Sequence, residues 1–301
     1  MFVSIVVATR NRADSLLTLL ESIGNLEKVV DWEVVIVDNG STDSTKEISG
    51  YYEKIDKEKY RYVYEKNLGK SFALNSGIRE ARGNILAFTD DDCILDRSWL
   101  VNIRREFESD PELAILGGRV ELYNKEDSLV TVITHENRMN FRIPENLFND
   151  PIVIGCNMAA KRTVFDIVGG YDLSMGPGAA GGAVAEDTDW IYRAYRRGFK
   201  IMYCPSVLVY HNHGRRTQRQ VKNLMDNYFT GRGAFYCRHI LRWDPVVFGI
   251  AMQDVTGIIR GTLIDLVRGR PGPLYRMRVL KGIIKGACVR LIYHLKNEVA
   301  F

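Results

Sequence analysis

Four short β-branched runs, residues 2–8, 33–37, 62–64 and 85–88, alternate with segments of helical spacing at residues 14–23, 44–55, 70–81 and 97–107. No other feature of the sequence restricts the fold as much. Strand, helix and strand in succession imply parallel pairing with right-handed crossovers. The amino-terminal part is therefore expected to form a doubly wound sheet of the nucleotide-binding type. Such sheets bind ligands beyond the carboxyl ends of their strands, so the residues at those ends matter most.

Three of the runs end in suggestive polar groups: Thr9-Arg10-Asn11, Asp38-Asn39-Gly40-Ser41 and Thr89-Asp90-Asp91-Asp92. Successive carboxylates after a buried run repel one another and gain from a hard divalent cation, which also neutralises phosphates. The plainer alternative is a solvated turn capping the helix that begins near Arg97. Asp38 also fits ordinary Asp-Asn-Gly turn chemistry. Farther on, GPGAAGGAVAED leads into a helical segment, residues 188–197. Its glycines permit the backbone excursions of a mobile lid or a ligand-hugging loop. Glu186-Asp187 could cap that helix or supply a general base for an incoming hydroxyl. His211 and His213 follow strand-like residues 206–210 and are expected on opposite sides, with at most one at a metal unless the strand has already ended.

Between these motifs the pattern loosens. A strand is expected at residues 115–122, then an unassigned polar stretch, an apolar run at 152–154 and a helix at 162–168. Beyond residue 213 only helical periodicity remains, at 218–242, 246–267 and 275–296. The middle helix is apolar, but Gln253, Asp254, Arg260 and Asp265 make it a poor fit to a spanning segment.

The net charge of +4 hides an asymmetry. Residues 211–301 carry 16 Lys/Arg and 5 Asp/Glu, a net of +11, and the remainder carries 25 and 32, a net of −7. A basic tail on an acidic body points to a polyanionic partner. Arg260, Arg268, Arg270, Arg276, Arg278, Lys281, Lys285 and Arg290, interleaved with apolar residues, suit helices lying at an anionic membrane surface. A packed appendage or a homodimer interface is the alternative, and no nucleic-acid recognition motif is present. The five cysteines include no CxxC pair, so neither a disulfide framework nor a zinc site is indicated. The first apolar run is too short for a signal-peptide core. The expected location is cytoplasmic, peripheral at the inner face of the cell membrane.

In order along the chain, SIVVATRNR, EVVIVDNGSTDST, NLGKSFALNSGIREARGNILAFTDDDC, NMAAKRTVFDIVGGYD, AEDTDWIYRAYRRG and PSVLVYHNH make the sequence resemble a family 2 glycosyltransferase of the GT-A fold, over roughly Val3 to His213. The resemblance implies an α/β fold: a Rossmann-like mixed sheet flanked by helices, with a carboxy-terminal helical extension. It divides the chain into a catalytic domain at 1–213 and a basic helical extension at 214–301. Within the catalytic domain, 1–112 is the nucleotide-sugar-binding half and 113–213 the acceptor-binding half.

The resemblance also assigns roles. Thr9 and Asp38 contact the nucleotide base, with Arg10 and Asn11 beside them, and Lys70 and Asn75 line the donor site. Asp90 and Asp92 form a DxD motif, with Asp90 at the ribose, Asp92 at Mn²⁺ or Mg²⁺, and Asp91 between them. Asp187 is the catalytic base, with Glu186 its neighbour at the acceptor. His211, or alternatively His213, completes the metal site. Leu74 stands where an arginine commonly precedes the asparagine, so the diphosphate contact falls to Lys70 or Arg10. The implied activity is inverting transfer of a hexose, glucose or a related sugar, from a UDP-sugar to a glycan or lipid-linked acceptor. The rival readings are a sugar nucleotidyltransferase and a non-catalytic nucleotide- or glycan-binding protein at a membrane.

Overall fold

The structure, a computed structural model, describes residues 1–27, 30–268 and 271–297, so Arg270 lies outside the described residues. The chain divides into two compact units: Met1–Tyr171 with Trp190–Arg216, and Asp172–Asp189 with the residues from Thr217 onward.

The first unit is built on one nine-stranded sheet. Its strands are β1 (Phe2–Thr9), β2 (Asp31–Asp38), β3 (Tyr60–Tyr64), β4 (Ile85–Asp90), β5 (Cys93–Leu95), β6 (Leu113–Leu122), β7 (Met139–Asn140), β8 (Asn157–Lys161) and β9 (Lys200–His211). The order is β3-β2-β1-β4-β8-β6-β9-β5, with β7 paired to β9. β3, β2, β1 and β4 are parallel, as the strand–helix alternation requires. β8 then runs antiparallel to both β4 and β6, which makes the sheet mixed. Val34 to Val37 in β2 are fully buried, the pattern of a strand covered on both faces.

Helices α1 (Ala13–Gly24), α2 (Thr45–Ile55), α3 (Lys70–Glu80), α4 (Trp99–Ser109), α5 (Glu145–Phe148) and α6 (Arg162–Val168) connect the strands. α1 buries Leu16, Leu19, Leu20 and Ile23, one face at helical spacing. Each such side chain contributes about 1.5–3 kcal/mol by leaving water.

Two elements differ from the sequence expectation. A strand the sequence did not indicate follows the apolar run at 152–154: NMAAK at β8, whose small side chains carry little hydrophobic signal. β9 is twelve residues long rather than a short run after Pro205. The chain absorbs that proline at a register irregularity where Gly118 faces Cys204 and Arg119 faces Leu208, the kind of bulge that tolerates a residue without an N–H.

Helix α7 (Glu186–Tyr195) begins in the second unit, which otherwise holds α8 (Gln218–Ile240), α9 (Pro245–Val267) and α10 (Pro273–Asn297). Thr217 and Gln220 form a reciprocal capping box at α8, and Asp244 caps α9 ahead of Pro245. The carboxylates on α9 face other helices: Asp254 pairs with Arg232 of α8 at 2.9 Å and Asp265 with Arg276 of α10 at 3.1 Å. They therefore do not interrupt its outer surface, where Phe248, Leu263 and Leu266 are each more than half exposed and Arg260 is exposed as well. Among the described residues, α9 is the one helix long and apolar enough to cross a membrane by length and composition.

The glycine-rich loop is packed against α8 and α10. A Cβ on Gly181, at φ +81°, would lie 2.7 Å from the Val289 methyls, and one on Gly231 of α8 would lie 2.0 Å from the Val184 carbonyl oxygen. Gly181 and Gly231 thus allow close packing in this unit.

Candidate active site

The turn after β4 holds the three carboxylates, and the sheet brings a histidine to them. β5 pairs antiparallel with the end of β9, placing Cys93 opposite His211, and Asn212 N–H donates to the Asp92 carbonyl at 2.8 Å. The His211 Nε2 then lies 3.1 Å from Asp92 Oδ1. Burial alone lowers the pKa of His211, but the hydrogen bond and charge of Asp92 outweigh it and push it up to about 9. Against its own burial, Asp92 is held well below the usual carboxylate range by His211 and Arg12.

Each carboxylate has a cationic partner. Asp90 pairs with Lys70, the first residue of α3. Arg12 Nη1 reaches Asp91 Oδ1 at 3.0 Å and Asp92 Oδ2 at 2.6 Å. Burial pushes Asp91 up to about 6 in spite of that arginine. Sequence reasoning named Arg10 and Asn11 and passed over Arg12; its place one residue before a helix gave no signal.

The base-binding candidates sit where β1 and β2 end, with Thr9 opposite Asp38. Both are buried, whereas Arg10 is exposed. Asp38 Oδ1 accepts from Ser41 N–H at 2.8 Å and Oδ2 from the Tyr62 hydroxyl at 3.0 Å. Asn11, at φ +53°, ties the two loops together: its N–H donates to Ser41 Oγ and its Oδ1 accepts from Thr42 N–H. Asn39 spans to Glu65, Asn67 and Gly69, a clamp that the sequence reading missed. Asn75 is engaged with the backbone, donating to Tyr171 O at 2.9 Å and accepting from Tyr171 N–H at 2.8 Å.

The two histidines are not on opposite sides. Residues two apart on an extended chain share a face, and the rings of His211 and His213 lie 5.2 Å apart, edge to face. Their ring nitrogens are engaged differently. His213 Nδ1 accepts the Arg215 N–H at 3.0 Å, so the neutral ring carries its proton on Nε2. That Nε2 and Arg215 Nη1 are buried donors with no hydrogen-bond partner among the described residues.

Asp92, Cys93 and His211 bring one potential ligand atom each within 4.8 Å of one another. The carboxylate and imidazole suit Mn²⁺ or Mg²⁺ better than the sulfur does, and contact with Cys156 together with burial pushes the Cys93 thiol well above its ordinary value. The donor set fits a hard divalent cation.

In the second unit Asp187 is half-buried at the start of α7, with Oδ1 accepting from Thr188 N–H at 2.7 Å, and Glu186 beside it is buried. Behind them is a buried charge network. Asp189 meets Arg238 and His239, each at 2.9 Å, and Asp172 pairs with Arg238 and with Arg290, the latter at 3.2 Å.

The mixed sheet flanked by helices is the GT-A fold, and solved structures share that fold. The mannosyltransferase PcManGT from Pyrobaculum calidifontis, solved in complex with GDP-Man and Mn²⁺, matches with a TM-score of 0.65 at 20% identity, over 96% of this chain and 86% of that one. S. aureus TarS 1–349 in complex with UDP-GlcNAc matches with a TM-score of 0.63 at 16% identity, over 98% and 92%. The chain belongs to glycosyl transferase family 2, whose family model matches residues 4–168. It is 25% identical over 211 residues to the glycosyltransferase AglE of Haloferax volcanii, covering 70% of this chain and 66% of that protein. To the pre-mycofactocin glycosyltransferase of Mycobacterium tuberculosis it is 27% identical over 282 residues, covering 88% and 55%. The chain thus spans between half and two thirds of the length of these relatives.

Proposed function

We propose that the chain is an inverting, metal-assisted glycosyltransferase that moves a hexose from a UDP-sugar to an acceptor hydroxyl of a glycan or lipid-linked molecule. The observation that carries this reading is the buried Asp92–His211 pair beside the acidic turn of a family 2 sheet. Asp92 and His211 hold Mn²⁺ or Mg²⁺, which when bound supplies charge neutralisation to the departing nucleoside diphosphate. Asp38, at the buried end of β2, receives the imide N–H of the base. Neither Lys70 nor Arg10 needs to hold the diphosphate alone, because the His213 Nε2–H and Arg215 Nη1 are buried donors without an acceptor and suit phosphate oxygens. Asp187 takes the proton of the attacking acceptor hydroxyl. One neighbour in fold was solved with GDP-Man and another with UDP-GlcNAc, so a guanine nucleotide is the competing donor.

The second unit supports a place at the inner face of a membrane, with the outer surface of α9 in the headgroup region. Trp243 just before α9 is 92% exposed, and aromatic side chains of this kind favour the interface. Thermal shift with UDP, GDP and their sugars, with Mn²⁺ and with EDTA, tests the donor reading. Metal-dependent stabilisation by uridine ligands supports it, selectivity for guanine ligands redirects it, and no response from the folded chain overturns it.

A further inference from the structure

We infer that Thr131 is a positioning residue for the metal: its hydroxyl fixes the tautomer of His211 so that the ring presents a lone pair at Nε2. This rests on the reading of Asp92 and His211 as metal ligands.

The Thr131 hydroxyl has one proton to donate. Thr131 Oγ1 donates that proton to the Val130 carbonyl at 2.6 Å. The same oxygen lies 3.2 Å from His211 Nδ1, and with its proton committed it can only accept there. Nδ1 therefore keeps its hydrogen, so the proton that leaves when the ring becomes neutral to bind a metal is the one on Nε2, shared with Asp92 at 3.1 Å, and the lone pair is exposed there. His213 has the opposite arrangement, because its Nδ1 accepts the Arg215 N–H. Two residues apart, one imidazole is prepared as a ligand and the other as a donor. Metal-ligating histidines generally need such an outer partner to fix tautomer and ring orientation.

The backbone shows that Thr131 is held in place. It sits at φ +56°, a left-handed conformation that β-branched residues rarely adopt and that persists only where the surroundings over-determine it. The flanking segment is pinned on both sides. Ser128 N–H donates to Arg215 O at 2.8 Å, and Ile133 exchanges two backbone hydrogen bonds with Val120, at 2.9 and 3.0 Å. Tyr123 N–H reaches the His211 carbonyl at 3.1 Å. The chain from β6 thus returns across the end of β9 and delivers one hydroxyl to the back of the metal-binding ring. Neither the polar composition of this stretch nor its spacing points to that role.

The test measures Mn²⁺ dissociation constants of the full chain by electron paramagnetic resonance of free Mn²⁺, in the wild type, Thr131→Ser, Thr131→Gly, Thr131→Val and His211→Ala. Glycine relieves the backbone, so a residue needed only for its conformation is replaced by it without loss. A residue needed for its hydroxyl is replaced only by serine. The expected result is a loss of roughly 10–100-fold in Thr131→Gly and Thr131→Val, with Thr131→Ser within about threefold of wild type. Thr131→Gly should retain the melting temperature of the metal-free wild type, which separates binding from folding. Undiminished affinity in Thr131→Gly, or a loss in Thr131→Ser as large as in Thr131→Gly, overturns the inference while leaving the metal site intact. Unchanged affinity in His211→Ala removes the metal reading itself, and this inference with it.

Discussion

His211 Nε2 and Asp92 Oδ1 lie 3.1 Å apart across 119 residues of sequence, brought together by the pairing of β5 with the end of β9. Under the proposed function a divalent cation replaces the hydrogen bond between them. Asp92→Ala should therefore lower Mn²⁺ affinity by on the order of 100-fold or more, beyond the loss expected for an outer partner, and nucleotide affinity should fall with it. Calorimetry of Mn²⁺ and of UDP in the presence of Mn²⁺ reads both. Unchanged metal-dependent nucleotide binding would remove Asp92 from the site.

The same pair sets a pH dependence. His211 is raised to about 9 in the fold, above its ordinary value of about 6.5. Its contribution to the stability of the metal-free protein is then fully present below about pH 6.5 and is lost as pH rises through about 9. Metal binding runs the other way, since the ligand must be neutral: affinity should rise about tenfold per pH unit from 7 towards 9 and then level off. Melting curves in EDTA and in Mn²⁺ across that range should diverge as pH increases. Parallel curves would show that His211 is not a ligand.

Asp187→Asn retains the size of the side chain and removes the base. Turnover should fall by roughly 10²–10⁴-fold, while Mn²⁺-dependent UDP-sugar binding stays within about twofold. Loss of donor affinity in this variant would take Asp187 out of the role of base.

What the sequence disclosed follows from the kind of signal each feature emits. β1, β2 and β4 were legible because buried parallel strands are continuous β-branched runs, and the acidic turn was legible because three adjacent carboxylates have few structural uses. β8 was missed because its residues are small, and β9 was cut short because Pro205 reads as a stop until a bulge is allowed for. Arg12, Asn39 and Thr131 act through partners 30 to 80 residues away, and no local pattern encodes such pairing. The basic tail was read as a surface feature, although Arg290 is buried and Arg238 half-buried.

Those arginines give a prediction about the tail. Arg290 is 1% exposed and bonds Asp172 and Ser174, while Arg238 bridges Asp172 and Asp189. Removing one partner of a buried ion pair leaves an uncompensated charge, a cost of about 3–5 kcal/mol. Asp172 keeps Arg238 in Arg290→Ala, so that variant should lose at most about 3 kcal/mol in urea unfolding, whereas a chain ending after His213 should be insoluble, because Asp172 and Asp189 then lose Arg238 together with Arg290 and His239. A soluble, cooperatively melting truncation would show that the network is dispensable.

The membrane reading is therefore best tested on the intact chain, by substitutions on the outside of α9. Asp254 and Asp265 are satisfied within the helical unit, so the outer face presents Phe248, Met252, Ile259, Leu263 and Leu266 to its surroundings, with Arg260 the exposed charge beside them. Exposed apolar area of this extent on one helix marks an interaction surface, and the net charge of the tail favours an anionic bilayer over a neutral one by about 1 kcal/mol for each basic residue near the surface. The double substitution Phe248→Glu and Leu263→Glu touches none of the charge network and should leave UDP-sugar binding unchanged. Flotation with vesicles containing phosphatidylglycerol should fall by at least about tenfold, given the cost of placing two carboxylates against lipid. Equal flotation of the variant and the wild type would exclude α9 as the contact. If neither floats and the double variant instead shifts the wild-type chain from dimer to monomer in analytical ultracentrifugation, the apolar face belongs to a second copy of the chain.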